Sequence, residues 1–187
     1  KKRLQDIARI SKGKTPKIDL RIEEDLPKIP FIRVSDIIDG EINNVKMKYL
    51  STKKYENLTS HTLSKQDILY TVTGTIGKVA ITTEKYIGSI ANSNIAILRI
   101  IDKSVDPDYL YLILSSTYFN NKIQPLIKNL IYPHLTVRDL GAVEIPIPPI
   151  SVQNQIKGEV FGKKDKESIQ SSISERVDRI LSEFKHE

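Results

Sequence analysis

The chain has 187 residues and a formal net charge of +6, and it contains no cysteine, which excludes disulfide bonds, thiolate metal sites and a thiol nucleophile. Its hydrophobic fraction of 39% is ordinary for a folded domain, and no apolar run approaches the ~20 residues that a membrane-spanning helix needs. We therefore expect a cytoplasmic protein with no membrane partner, and the first residue, Lys1, indicates a piece of a longer chain.

Short β-branched segments between glycine and proline residues predict strands at residues 29–37, 68–73, 78–83 and 94–101. Asp106 and Pro107 have the residue types of a helix cap and a first helical residue, so we predict that a helix begins at Pro107. Further helical segments are predicted at residues 119–128 and 136–140. A strand at residues 144–147 leads into prolines that impose an extended path. These elements predict an α/β (α+β) fold, which is mixed, β-rich and globular.

Residues 151–187 have a different pattern, which is typical of amphipathic helices. Ser151 is a suitable helix cap, and Gly158 and Gly162 weaken the first helix or end it near residue 162. Further along, apolar residues recur at spacings of three or four and form a seam along one face of a predicted helix: Ile169, Ile173, Val177, Ile180 and Phe184. We expect this seam to pack against another helix in a second copy or a partner, or to fold back onto its own domain.

The excess positive charge lies entirely in the first part of the chain. Residues 1–150 contain 22 Lys and Arg against 16 Asp and Glu, whereas residues 151–187 contain 7 of each. A basic domain favours polyanionic partners, nucleic acid first, and a neutral tail indicates a separate role for the tail. The alternative is that the lysines serve solubility alone, and charge by itself does not decide between these interpretations.

Recognised enzyme motifs are missing from the sequence. It has no dinucleotide-binding glycine pattern and no GxSxG nucleophile turn, and residues 73–78 lack the spacing of a Walker loop. His61, His134 and His186 lie far apart and lack the spacing of metal ligands. We therefore predict no catalytic residue, no metal site and no cofactor in this chain.

Three stretches, taken in order, are similar to one known family. They comprise residues 4–10, 13–16 and 29–42, then residues 63–69, 74–81 and 92–98, and finally residues 134–140, 145–150 and 153–156. Their order and spacing resemble the target recognition domain of type I restriction-modification DNA specificity subunits. The resemblance covers essentially the whole chain.

The resemblance implies a non-catalytic recognition domain at residues 1–150 that reads one half of a bipartite DNA site. It also implies a spacer or dimerisation helix region at residues 151–187 that docks methyltransferase subunits. The implied partners are double-stranded DNA, a methyltransferase subunit or domain, and a second recognition domain or a second copy of the chain. The tail is shorter than the family's usual continuous helix, and its glycines leave the spacer role open.

Candidate DNA contacts follow from what DNA offers a protein. Phosphates are bound by lysine, hydroxyl and backbone amide groups, and base edges are read by arginine, asparagine or glutamine. Glycine-containing loops at residues 12–15 and 73–78 suit phosphates, and residues 128–134 form an acid-free, polar and aromatic loop. Each segment has an ordinary alternative as a turn, a strand cap or a connecting loop. The candidates are Lys12, Lys14, Thr15, Arg33, Ser35, Thr73, Thr75, Lys78, Asn92, Asn94, Asn129, Tyr132, His134 and Arg138.

Two other functions stay open at this point. The chain could be the C-terminal recognition domain of a single-chain adenine methyltransferase or restriction-modification enzyme, although it has neither a cofactor-binding glycine loop nor a Pro-Pro-aromatic motif. It could also be a protein-interaction module that binds no DNA. The upstream reading frame distinguishes the first alternative, and a DNA titration against salt distinguishes the second.

Overall fold

The computed structural model describes residues 1–16, 28–51, 61–128 and 131–161, together with Glu175, Val177 and Arg179. Its strands are β1 (Lys2–Arg3), β2 (Ala8–Lys12), β3 (Lys28–Ile32), β4 (Ile37–Ile38), β5 (Glu41–Ile42), β6 (Lys48–Ser51), β7 (Ile68–Thr71), β8 (Val79–Ile81), β9 (Ile90–Ala91), β10 (Ile95–Ile100) and β11 (Glu144–Ile145). Its helices are α1 (Leu4–Ile7), α2 (Pro107–Ser115), α3 (Thr117–Ile123), α4 (Val137–Ala142) and α5 (Ile150–Phe161), with 3-10 turns at Val34–Asp36, Glu84–Tyr86 and Gln124–Leu126. No helix within these residues is long and apolar enough to cross a membrane.

A four-stranded antiparallel sheet in the order β2-β10-β7-β8 forms the centre of the fold. Successive side chains of a strand point to opposite faces. In β10, Ala96 and Leu98 therefore join one core cluster, whereas Ile95 and Ile97 join another. Because both faces are buried, β10 has a continuous apolar sequence rather than an alternating one.

The helices α1 to α5 lie around the first core cluster, on one side of the central sheet. The predicted start of α2 is confirmed, because the Asp106 carboxylate accepts hydrogen bonds from the amides of Asp108 (2.9 Å) and Tyr109 (3.1 Å). Tyr70 of β7 meets Phe119 of α3 edge to face, with ring centroids 5.7 Å apart. The helices thereby fix the position of the central strands.

The other face of the sheet is covered by smaller β elements. Strand β3 pairs antiparallel with β6 and parallel with β9, and β4 and β5 form a short antiparallel pair. Ile32, Ile37 and Ile42 from these elements pack with Leu69 and Ile97 of the central sheet in the second core cluster. The predicted mixed α/β class is therefore confirmed.

Two predicted element bounds were wrong. The strand predicted at residues 29–37 ends at Ile32, since the Asp36 carboxylate accepts hydrogen bonds from the Arg33 amide (2.8 Å) and guanidinium and closes a 3-10 turn. The helix predicted at residues 119–128 is α3, which ends at Ile123 and continues only as a 3-10 turn containing Pro125. Proline has no amide hydrogen to continue an α-helix.

Helix α5 begins at Ile150, one residue before the predicted cap Ser151, and the carbonyl of Pro149 accepts hydrogen bonds from its first-turn amides. Within the predicted seam, Val177 is fully buried and belongs to the first core cluster. Arg179 pairs with Glu159 of α5 at 3.1 Å. The other seam residues, Ile169, Ile173, Ile180 and Phe184, lie outside the described residues. The domain boundary at residue 150 stays a prediction.

Candidate nucleic-acid interface

Four loops meet at one edge of the central sheet, where β2 and β7 end and β10 begins. Lys12 at the end of β2 pairs with Ala96, and Thr71 at the end of β7 pairs with Ile95. The loops that follow or precede these strands must therefore leave the sheet on the same side. We call residues 12–15, 72–75, 92–94 and 131–138, together with Lys128, the loop edge.

The loop after β2 is fixed closely against the start of β10. The amide of Gly13 donates to the carbonyl of Ile95 (2.8 Å), and the amide of Lys14 donates to the carbonyl of Ala91 (2.9 Å). A Cβ atom on residue 13 would lie 2.2 Å from the carbonyl oxygen of Asn92, so only glycine fits here. This close approach leaves the Lys12 and Lys14 side chains exposed to solvent on either side of a fixed backbone.

Residues 92–94 connect the first loop to the loop after β7. The Thr15 hydroxyl accepts a hydrogen bond from the Ser93 amide (3.0 Å) and lies 2.9 Å from the Ser93 hydroxyl. The Asn92 side-chain carbonyl accepts a hydrogen bond from the Asn94 amide at 3.1 Å. The carbonyl of Asn94 in turn accepts from the amide of Val72 at 2.8 Å. Part of this polar surface is thus used to hold the turn itself.

The loop between α3 and α4 joins the other side of the β7 loop. The amide of Gly74 donates to the carbonyl of Pro133 (3.0 Å), and the Thr73 hydroxyl lies 3.0 Å from Nδ1 of His134. Lys128 and His134 exchange two backbone hydrogen bonds of 2.9 and 3.0 Å, which close the base of the loop as a two-stranded bridge. Backbone hydrogen bonds therefore connect all four loops into one surface.

Helix α4 starts at this surface. The Thr136 hydroxyl caps it by accepting a hydrogen bond from the Asp139 amide at 3.0 Å, as predicted for a helical turn at residues 136–140. A second hydrogen bond, from the Thr136 hydroxyl to the Asp139 carboxyl, and the ion pair with Lys128 at 3.3 Å lower the pKa of that carboxyl against the opposing effect of its burial. Arg138 is exposed one residue before Asp139, on the first turn of the helix.

The loop edge is basic and carries two exposed apolar side chains. It contains Lys12, Lys14, Lys128 and Arg138 and no acid, and Asp139 directly follows it in sequence. Tyr132, which sequence reasoning selected, is 74% exposed, and its neighbour Ile131 is 85% exposed. Sequence reasoning missed Ile131, although its place beside Tyr132 in an acid-free loop was an available signal.

Three candidates lie at the turn after β3, and the side chains of two of them, Arg33 and Lys78, form hydrogen bonds within the fold. Arg33 donates to both carboxylate oxygens of Asp36 (2.9 and 2.8 Å) and to the carbonyl of Lys46 (2.7 Å), and the hydrogen bond with Asp36 raises the pKa of the guanidinium. Ser35 is exposed on the same 3-10 turn. The ammonium of Lys78 donates to the carbonyl of Ile37 at 2.9 Å. These contacts hold the turn after β3.

The structure thus brings most of the predicted DNA-binding residues together and separates a few. Asn129 lies outside the described residues. Arg33, Ser35 and Lys78 lie at the turn after β3, next to the loop edge. The residues on the loop edge are Lys12, Lys14, Thr15, Thr73, Thr75, Asn92, Asn94, Tyr132, His134 and Arg138.

An open groove of about 1240 Å³ lies elsewhere, between the β4–β5 pair, β8 and α2. Its lining includes the exposed side chains of Ile38 and Phe161 and the hydroxyl-bearing Tyr111. The groove contains neither a metal-ligand cluster among the described residues nor any side chain of the loop edge. It therefore does not contribute to the candidate interface.

Comparison with known proteins shows the family. The family model described as "Type I restriction modification DNA specificity domain" matches residues 1–173. The chain belongs to this family. The family is one of specificity domains rather than catalytic ones, which agrees with the prediction of a non-catalytic DNA recognition role and with the resemblance in the sequence.

Two curated relatives are similar to this chain over part of their length. The specificity subunit of the type I restriction enzyme EcoBI from Escherichia coli is 29% identical over 157 residues, which are 81% of this chain and 32% of that protein. The putative type I restriction enzyme MjaX specificity subunit from Methanocaldococcus jannaschii is 28% identical over 131 residues, 68% of this chain and 31% of its own. The specificity domain described here thus spans about a third of these relatives.

Solved structures have the same fold. The HsdS subunit from Thermoanaerobacter tengcongensis has a TM-score of 0.65 and 17% identity, covering 86% of this chain and 40% of its own. A chain from a structure on complex assembly and conformational transition of the type I R-M system has a TM-score of 0.63 and 19% identity, covering 98% of this chain and 41% of its own. The type I restriction-modification S subunit from M. genitalium has a TM-score of 0.59 and 18% identity, and the match covers 86% of this chain and 37% of that subunit.

Proposed function

We propose that this specificity domain reads one half of a bipartite DNA sequence with its loop edge and thereby directs a methyltransferase or endonuclease complex to that sequence. The observation that carries the proposal is the joining of four loops by hydrogen bonds at one edge of the central sheet. Together with Lys128 they contain four lysines and arginines and no acid, and Asp139 directly follows them in sequence. Binding residues are typically held on loops that a rigid scaffold positions, and phosphates require positive charge without neighbouring carboxylates.

The exposed side chains of the loop edge divide into two roles. Lys12 and Lys14 are exposed and suit phosphates, which fix the register of a protein on a duplex without reading sequence. Lys128 is also exposed, and its ion pair with Asp139 at 3.3 Å would compete with a phosphate. Arg138, exposed on the first turn of α4, is the side chain best placed to reach a base edge, since arginine binds guanine through two hydrogen bonds. Arg33 and Lys78 instead hold the turn after β3, because their donors already have protein acceptors.

The partners of the domain follow from its place in a longer assembly. The curated relatives are about three times as long as the matched segment, which supports a second recognition domain in the same chain or in a second copy. We propose a methyltransferase subunit as the further partner, because the family is described as one of restriction-modification specificity domains and a relative is named as the specificity subunit of a type I restriction enzyme. We propose the cytoplasm as the location. The naming of the relatives favours a separate specificity subunit over a single-chain methyltransferase.

Duplex binding by charge-matched variants of the full chain tests the proposal. Lys12→Gln with Lys14→Gln removes two charges from the loop edge. Lys1→Gln with Lys103→Gln removes two charges near the opposite end of β10, about 20 Å away along its six residues. In fluorescence anisotropy titrations at several salt concentrations, the loop-edge pair should reduce the slope of log K against log salt by about two, because each substituted lysine no longer neutralises one phosphate.

The control pair should leave that slope unchanged. Equal effects of both pairs would mean that DNA meets the chain through its net charge alone, and the loop edge would then not be the interface. An absence of binding by the unmodified chain at low salt would contradict the DNA-binding function itself.

A further inference from the structure

The loop edge carries an apolar pair that phosphate and hydrogen-bond contacts do not explain. Ile131 and Tyr132, which we call the apolar tip, are adjacent and 85% and 74% exposed. They follow directly on one another in the loop between α3 and α4 and are succeeded by Pro133, which restricts the backbone. A large exposed apolar surface at a fixed position is typical of a contact with a partner.

The base of this loop is closed by a single β-bridge. Lys128 and His134 exchange backbone hydrogen bonds of 2.9 and 3.0 Å, and the carbonyl of Pro133 accepts from the amide of Gly74 at 3.0 Å. Leu135, directly after the bridge, is fully buried and its amide donates to the carbonyl of Val72 at 2.9 Å. The exposed apolar tip is therefore followed by a segment that is attached to the central sheet.

The surroundings of the apolar tip indicate the chemistry of its partner. Lys128 lies at the base of the loop, Arg138 lies on the first turn of the following helix, and the sequence has no acid between Asp108 and Asp139. Lys128 pairs with Asp139 at 3.3 Å, but an apolar protein surface would offer no counter-charge to the exposed Arg138, Lys12 and Lys14 of the loop edge. A DNA duplex supplies both phosphates for the charges and base surfaces for the apolar side chains.

The width and the chemistry of the two grooves favour one of them. The major groove is about 12 Å wide, whereas the minor groove is only about 6 Å wide. The 5-methyl group of thymine is the largest apolar group on a base edge, and it lies in the major groove. We propose that the apolar tip enters the major groove and contacts a thymine methyl group of the recognised half-site, an inference that rests on the proposed function.

The test removes only the methyl group. The preferred duplex is first selected with the full chain from a random library, and each thymine is then replaced singly by deoxyuridine, which lacks the methyl group and keeps the base pair. We expect a loss of affinity of about threefold to fivefold at one or two positions, as expected for one buried methyl group. In Ile131→Ser or Tyr132→Ser the affinity for the thymine and deoxyuridine duplexes should become equal at those positions.

Ile101→Ser is the matched control. Ile101 is 59% exposed and directly follows β10 at the end opposite the loop edge, so this variant should keep the full response to deoxyuridine. All three side chains are largely exposed, so equal melting temperatures would show that the fold is retained in each variant.

The outcomes separate the two levels of the proposal. If the unmodified chain selects no sequence, the proposed recognition function fails. If it selects a sequence and no deoxyuridine replacement weakens binding, the methyl contact is wrong and the recognition function stands. A tip variant that binds more weakly but keeps the full methyl response would likewise refute the contact, because its weaker binding would then be unrelated to thymine.

Discussion

At the scale of single residues, Arg138 and Lys78 have opposite relationships to the rest of the protein. Arg138 is exposed on the loop edge, whereas the ammonium of Lys78 is half-buried and donates to the carbonyls of Ile37 (2.9 Å) and Val34 (3.4 Å). The sequence alone assigned both to DNA, one to a base and one to a phosphate. Their surroundings now indicate different consequences of removing them.

Arg138→Ala should relax the preference at one base pair by about 1–3 kcal/mol and leave the free energy of unfolding nearly unchanged. Lys78→Ala should instead lower the free energy of unfolding by about 1–3 kcal/mol, because two carbonyls of the turn after β3 lose a charged donor. Affinities for a set of single-base variants, with urea unfolding of each protein, measure both effects. A sequence-specific loss in Lys78→Ala with unchanged stability would show that Lys78 contacts DNA after all.

The residue scale also shows what sequence reasoning can reach. Asp106 was identified correctly as a capping position because a cap depends on residues only two or three positions away. Arg33 donates to the carbonyl of Lys46, and Lys78 donates to the carbonyls of Val34 and Ile37. These hydrogen bonds join segments that are distant in sequence. No local pattern predicts those contacts, so the sequence could not separate exposed cations from structural ones.

At the scale of elements, a buried glutamine attaches α5 to the body of the domain. Gln153 is fully buried, and its amide group donates to the carbonyls of Ser104 (2.7 Å) and Pro148 (2.8 Å). Its side-chain carbonyl accepts from the amide of Asp106 at 2.9 Å. Lys157, one turn further along, pairs with the Asp106 carboxylate at 2.7 Å. The start of α2, the proline segment and α5 are thereby held in one arrangement.

Gln153→Leu should lower the free energy of unfolding by about 2–4 kcal/mol, because one amide and two carbonyls lose the partner of a part-buried hydrogen bond. The exposed Gln155→Leu on the same helix is the control and should change it by no more than about 0.5 kcal/mol. Urea unfolding measures the difference, and faster amide exchange in α5 of the Gln153 variant would show that the helix has loosened from the body. Equal stability of the two variants would mean that the hydrogen bonds of Gln153 do not hold α5.

The bounds of the central strands could be predicted from local sequence signals, whereas the pairing of the strands depends on contacts between distant segments and could not. The strands at residues 68–73, 78–83 and 94–101 were found within about two residues of β7, β8 and β10. The order β2-β10-β7-β8 and the parallel pairing of β3 with β9 join segments far apart in sequence. Periodicity cannot give such pairing, so the meeting of four loops at one edge emerged only from the structure.

At the scale of the whole molecule, the tail and the charge distribution define how the domain meets its partners. Val177 lies in the first core cluster and Arg179 reaches Glu159 of α5, so this part of the tail packs on its own domain. These contacts support the interpretation that the seam folds back, at least at Val177. The excess charge, by contrast, belongs to residues 1–150, which contain the loop edge.

This distribution leads to a prediction for the unmodified chain. Lysines and arginines of the domain, including those of the loop edge, should replace the counterions of about four to six phosphates, which gives a slope of log K against log salt of about −3.6 to −5.4. Affinity should therefore fall by about 10²- to 10³-fold between 50 and 200 mM salt. Anisotropy titrations with duplexes of preferred and scrambled sequence measure this fall. It should be similar for both duplexes, because phosphate contacts carry no sequence information. A flat response with intact binding would require an interface without phosphate contacts, and the basic loop edge could not then be the surface that meets DNA.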